Sequence, residues 1–216
     1  MTAPRFLLVA GFATILATIG WPIRAQDATP SPTPSISANE EETTEKIDFA
    51  SPDGKFAFLL GRGEDEQTID LIDKKTEKVL QHIDDQDMSS VYYAVRWAPD
   101  SKRFALMTRM GHPNQYVTVY FRKGDKFQEI EIPELTAEIP AKIRAGKQHP
   151  HVANNNWQTA EKWNKDGSLV VTIDNTIDGA GHTASAIRTV LLGFDKSGKG
   201  QILKSTVKYD STNDNE

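Results

Sequence analysis

From residue 47 to residue 209, apolar and polar side chains alternate in short runs, and glycine, lysine, aspartate and asparagine separate one run from the next. Between Tyr92 and Ile132, for example, "YYAVRW", "FALMT", "YVTVYF" and "FQEIEI" follow one another in this way. Successive side chains of a strand point to opposite faces, so a period of two over such lengths, rich in Val, Ile, Tyr and Phe, predicts half-buried antiparallel strands. Followed through the chain, the pattern predicts about twelve of them. One segment departs from it: "PELTAEIPAKIRAG", 133–146, has Pro133 or Pro140 to open a helix and Gly146 to close one. It is expected as one short inserted helix.

The strands fall into repeated units. "SPDGK" at 51–55, "APDSK" at 98–102 and "NKDGS" at 164–168 each stand between a run ending in an aromatic residue (Phe49, Trp97, Trp163) and a β-rich run ("FAFLL", "FALMT", "LVVTI"). Aspartate followed by glycine or serine between two such runs is a hairpin signal, because these residues tolerate the positive φ of tight turns. Each unit continues with a second hairpin: "TIDLID" and "VLQHI" around "KKTEK", "YVTVYF" and "FQEIEI" around "KGDK", "AIRTVLLGF" and "QILKSTVKY" around "DKSGK". The chain is therefore expected to be all-β, with three repeated four-stranded antiparallel meanders and the short helix inserted between units two and three.

"SPDGKFAF" and "WAPDSKRFALM" resemble the WD-like β-propeller repeats of the TolB type, whose units turn on a Ser-Pro-Asp-Gly-Lys hairpin after an aromatic residue. The resemblance covers most of 47–209, with the third unit lacking the proline. It implies blade-like sheets and a platform that binds other proteins. Propellers typically close with four or more blades, so three imply an incomplete or irregular propeller. Its open edges need cover, from the inserted helix and the tails, from a second copy of the chain in a homodimer, or by folding of the sheets into a β-sandwich.

The ends of the chain are different in kind. Arg5, an apolar run from Phe6 to Trp21 and a small Ala25 before Gln26 predict a signal peptide over residues 1–25 and hence a periplasmic or secreted protein. Contact with a membrane is expected only if that segment is retained. Residues 26–46, with prolines at 30, 32 and 34 and clustered glutamates, cannot bury enough apolar surface to offset their ordering entropy and are expected to form a disordered linker. The acidic tail, 210–216, is expected to be loose for the same reason. The chain has no cysteine, so its stability rests on its core rather than on disulfides. Removing residues 1–25 takes away Arg5 and Arg24 and no acid, changing the formal charge from −5 to −7. An acidic domain of this kind argues against nucleic acid as a partner.

In a four-stranded meander the first and third turns share one end, and the second turn and the connection to the next unit share the other. The first end collects lysines and the turn aspartates. The far end receives all five histidines, 82, 112, 149, 151 and 182, with Glu64, Asp65, Glu66, Asp84, Asp85 and Asp87. Within it, "HPHVANNNW" joins the aromatic face of Trp157 to the amides of Asn154, Asn155 and Asn156 in a long inserted connection, a combination suited to a glycan or a polar protein surface. The same loop read structurally is a plug, with Trp157 in the core. The candidate binding residues are His112, His149, His151, Asn154, Asn155, Asn156, Trp157 and His182.

Histidines beside carboxylates also suit proton transfer or metal ligation. No "HExxH" pair, "GxSxG" elbow or phosphate-cradling glycine loop accompanies them, so no metal, cofactor or catalytic residue is assigned. The expected function is that of an exported, non-enzymatic binding or scaffolding protein, recognising an envelope protein or cell-wall glycan through the far end. The alternative is a metal-assisted or carboxylate-dependent hydrolase using His112, His149, His151 and His182.

Overall fold

Strands form where the alternation predicts them. A computed structural model describes residues 44–62, 66–86, 91–144, 151–179 and 181–213. β1 (Thr44–Asp48), β2 (Phe56–Arg62), β3 (Gln67–Asp73) and β4 (Val79–Gln86) form the first sheet. β5 (Val91–Trp97), β6 (Arg103–Met110), β7 (Asn114–Lys123) and β8 (Lys126–Ile130) form the second. After α1 (Ala141–Arg144), the third holds β9 (His151–Trp163), β10 (Leu169–Gly179), β11 (His182–Phe194) and β12 (Gly200–Asn213). In every sheet the strands lie in sequence order and pair antiparallel.

The period of two decides how the sheets stack. Phe104 and Leu106 of β6 and Tyr120 of β7 turn toward the first sheet and meet Phe56, Phe58, Ile69 and Leu71. Their neighbours in sequence, Ala105, Met107, Val117 and Val119, turn the other way and meet Leu169, Val171, Ile173, Ala184, Ala186, Val190 and Leu192 of the third sheet. The second sheet is thus apolar on both faces and sits between the other two, as strands buried on two sides must be. Three stacked layers replace the two of a β-sandwich. The arrangement is compatible with blade-like repeats, and the sheets do not close into a barrel.

The two junctions differ in composition. The first is aromatic: Trp97 lies 5.1 Å from Phe104, 5.6 Å from Phe127 and 5.7 Å from Phe58, ring centre to ring centre. Phe104 also stacks on Tyr120 at 4.8 Å. The second junction is mostly aliphatic, closed at one end by Trp163 against Phe194. Because aromatic pairs add to the burial of their area, the first junction gains from geometry as well as from exclusion of water.

The repeated aspartates organise hairpins. The Ser51 hydroxyl donates to Asp53, and Asp53 accepts from the amide of Lys55. Asp100 accepts from Lys102, and Asp166 from Ser168, in the same way. The third turns lie beside the first, as the Lys74 amide donates to the Lys55 carbonyl and the Arg122 amide to that of Lys102. Successive units are also bonded to each other here: the Asp53 amide donates to Ser101 Oγ, and Arg103 Nη1 donates to the Gly167 carbonyl.

Three boundaries differ from expectation. Among the described residues, the helix spans only Ala141–Arg144, after Pro140, while residues 133–140 are not helical and bury Leu135, Ala137 and Ile139 in alternation. This strap is held on the third sheet by Asn156, Asn175 and Arg188, which bond the backbone of Ala137 and Thr136. β1 begins at Thr44, inside the expected linker, and β12 continues to Asn213, so residues 210–213 of the expected loose tail are strand. The side chains of Asp210, Ser211 and Thr212 are exposed and contribute no core. Backbone pairing to β11, from Asp210 opposite Ser185 to Asn213 opposite His182, extends the ladder instead.

Candidate functional site

Strand β6 carries an arginine at each end of an otherwise apolar run, and both side chains point toward the third sheet. Arg103 packs between Phe121 and Trp163, with its guanidinium carbon 5.5 Å and 5.2 Å from the ring centres. Arg109, at the far end, packs between Tyr92 and Trp157 at 5.5 Å and 5.0 Å. Tyr92 is opposite Arg109 in the β5–β6 register, which fixes the first half of the sandwich, and β9 supplies the second. His112 completes the group. Its ring lies 5.9 Å from that of Trp157 in a stacked arrangement, and its Nε2 is 2.6 Å from Arg109 Nη2. An arginine only donates, so Nε2 accepts and the imidazole proton is assigned to Nδ1.

This group lies at the surface. Tyr92 is 58% exposed, Trp157 is half-buried and His112 is exposed. The half-buried Arg109 guanidinium, lying over two rings, offers a planar set of donors at low entropic cost, beside aromatic area that remains open to solvent.

Two expected residues, His112 and Trp157, are therefore brought together, and the others take separate places. "HVANNNW" is the first half of β9 rather than a loop. Asparagine is depleted in strands, but here the segment pairs with β10 through irregular register, and the amides fill the gaps. Asn156, at φ 52°, accepts from the Ala137 amide, Asn154 donates to Asp174, and the Asn155 amide donates to the Pro113 carbonyl. Asn154 and Asn156 thus support local structure, and Trp157 is neither a plug nor fully buried. His151 is exposed, opposite Asp178, whereas His182 is buried at the start of β11. His149 lies outside the described residues.

His82 is on β4 rather than in a far-end loop. Its Nδ1 lies 2.7 Å from Asp70 and its Nε2 lies 3.6 Å from Asp85. The Asp70 hydrogen bond, reinforced by both carboxylates, raises its pKa against the opposing effect of burial. Among the described residues, no group of three or more histidine, aspartate or glutamate side chains is placed to hold a metal ion.

A second feature of the far end is a cleft of about 310 Å³ between β4 and the second sheet, lined by Asp84, Gln86, Thr108, Tyr116, Thr118, Tyr120 and Glu129 among others. Burial, then the Glu129 and Asp84 carboxylates, push the Tyr120 hydroxyl up to about 12. Tyr93 is raised too, by burial first and by its hydrogen bond to Asp84. Both phenols remain neutral donors across the ordinary pH range.

Sequence reasoning missed Tyr92 and Arg109. The available signal was in "RFALMTR": charges at positions 103 and 109 share a strand face with Ala105 and Met107, and a cation on an apolar face needs a reason to be there.

No protein-family model matches the chain, and no curated protein does. Among the described residues, no helix is long and apolar enough to cross a membrane. Among solved structures, the chain is similar to a Lactobacillus plantarum protein from the Northeast Structural Genomics Consortium, at 16% identity and a TM-score of 0.35. That likeness covers 76% of this chain and 44% of the other, so the chain spans less than half the length of its match.

Proposed function

We propose that the chain is an exported, non-enzymatic binding or scaffolding protein, built on blade-like repeats of the TolB type, that recognises a protein or cell-wall partner through its far end. The observation that carries this reading is the stack of Tyr92, Arg109, Trp157 and His112, in which Tyr92 and His112 are exposed and the other two half-buried. Tryptophan, tyrosine and arginine are the side chains that most often dominate binding energy, because they combine large rigid area with directed hydrogen bonds. Export is supported by the apolar run from Phe6 to Trp21 and the small Ala25 after it. Blade-like architecture is supported by three meanders that turn on "SPDGK", "APDSK" and "NKDGS".

Capture of partners from a bacterial envelope extract tests the reading. Trp157→Ala and Tyr92→Ala are expected to weaken capture about tenfold or more, the effect of losing a hot-spot aromatic. Lys55→Ala and Lys102→Ala, at the opposite end, are expected to leave it unchanged. The reverse pattern overturns the proposal.

A further inference from the structure

Arg103 and Arg109 occupy one strand face, six residues apart, and each is sandwiched between an aromatic ring of the second sheet and a tryptophan of β9. Their polar surroundings differ. Arg103 Nη2 donates to the Asp100 carboxylate at 2.7 Å and its Nη1 donates to the Gly167 carbonyl at 3.0 Å, so the guanidinium is neutralised within the fold. Arg109 meets only neutral groups among the described residues: His112 Nε2 at 2.6 Å and the Gly111 carbonyl at 3.5 Å, with no carboxylate within 4.0 Å.

With Nε directed at Gly111 and one Nη2 hydrogen at His112, the Nη1–Nη2 edge of Arg109 remains, and a carboxylate matches that edge in two parallel hydrogen bonds. At the first end the chain supplies this carboxylate itself. Taking the binding reading above as its basis, we propose that Arg109 receives a carboxylate side chain from an acidic peptide segment of a protein partner. A peptide fits better than an isolated carboxylate, because the rings against the cation leave area open to solvent: Tyr92 is 58% exposed and Trp157 is half-buried. The aliphatic stems of Glu or Asp residues and their neighbours lie on such surfaces while the carboxylate reaches the guanidinium. The domain's own net negative charge opposes long-range attraction of an acidic partner, so recognition depends on this local contact.

Fluorescence anisotropy with a labelled hexaglutamate peptide at low salt tests the proposal, with a hexaglutamine peptide as the uncharged probe and unlabelled oligogalacturonate as a carboxylated glycan competitor. The wild-type chain is expected to bind hexaglutamate and not hexaglutamine. R109Q is expected to weaken binding at least about tenfold, and R109K to fall between, since an ammonium supplies charge without the fork. A K55Q/K102Q double variant, at the lysine-rich end, is expected to bind as the wild type does. A thermal melt of each variant establishes that it is folded, and R109K carries the comparison if R109Q is not. The proposal is overturned if the wild type does not bind hexaglutamate, if R109Q binds it unchanged, if K55Q/K102Q abolishes binding, or if oligogalacturonate displaces the peptide at equal carboxylate concentration. Failure here together with retained, Trp157-dependent capture from envelope extract removes only the acidic-peptide assignment. Loss of Trp157 dependence in that capture removes the binding reading itself.

Discussion

The indole Nε1 of Trp163 donates to the carbonyl oxygen of Arg96 at 2.9 Å, and Trp97 makes the corresponding bond one unit earlier, to Phe49 at 2.7 Å. In both cases the tryptophan stands three residues before the turn aspartate of its own unit, and the acceptor four residues before that of the preceding unit. One bond is thus used twice to hold neighbouring sheets in the same relation. Trp97→Phe keeps most of the ring and removes the donor. It is expected to cost about 1–3 kcal/mol by leaving the Phe49 carbonyl without this partner. Trp97→Ala also opens a cavity among Phe56, Phe58, Phe104 and Phe127, with an expected loss of about 3–5 kcal/mol. Urea unfolding followed by circular dichroism orders the two variants.

Gln158 is expected to be intolerant of replacement. Its side-chain oxygen accepts from the Val117 amide and its nitrogen donates to the Leu135 carbonyl, so one buried amide ties β9 to β7 and to the strap. Gln158→Met leaves both backbone groups without this partner, at about 1–3 kcal/mol each. Amide exchange at Val117 should accelerate in that variant well beyond the exchange of β2 amides, which lie in the other junction.

Gly167→Ala and Gly54→Ala separate strain from crowding. Both glycines have positive φ, 86° and 71°, so alanine at either is strained, at roughly 1–3 kcal/mol. At Gly54 an added Cβ meets nothing within 4 Å. At Gly167 it overlaps Arg103 Nη1, which is bonded to Gly167 and clamped between Phe121 and Trp163. Thermal unfolding should therefore place Gly167→Ala below Gly54→Ala.

Stability should also carry a histidine-dependent component. Bonding to Asp70 raises the His82 pKa above its unfolded value of about 6.5. The stabilisation is complete below that pH and is lost as pH rises through the higher folded value. His82→Gln is expected to flatten this part of the profile, and NMR titration of the imidazole reads the raised pKa directly. The turn carboxylates act in the opposite sense. Asp73, held by the Thr76 amide and hydroxyl, Asp166, held by the Ser168 hydroxyl and amide, and Asp195, held by the Ser197 hydroxyl and turn amides, are lowered. Their contribution is present above the ordinary aspartate range and disappears in acid as pH falls through the lowered values.

The architecture was legible because a buried strand leaves a period of two in the sequence and a hairpin leaves its turn chemistry, and "SPDGK", "APDSK" and "NKDGS" fixed where each unit begins. The strap was misread although its signal was present. Leu135, Ala137 and Ile139 alternate with Glu134, Thr136 and Glu138, the period of an extended segment, but proline and glycine at its borders suggested a helix. β9 was hidden by three consecutive asparagines whose low strand propensity is overridden by contacts from the strap and β10. Of the candidate site, the tryptophan and one histidine were visible as residue types in a promising segment. Their meeting with Arg109 and Tyr92 was not, because it depends on which face of β6 and β5 turns toward β9, a tertiary choice with no local signature.

The bonds between the first and second sheets run along the whole junction. Asp53 to Ser101, Trp97 to Phe49 and the paired amide of Gln81 with the backbone of Phe127 lie toward the turn end, and the Tyr93 hydroxyl donates to the Gln67 carbonyl at 3.3 Å toward the far end, beside the acidic cleft. The first sheet is bound to the second as a page is bound at its spine, with the Tyr93 phenol as a clasp at the fore-edge. A load that spreads the layers from that edge therefore meets the clasp first and the aromatic packing around Trp97 last.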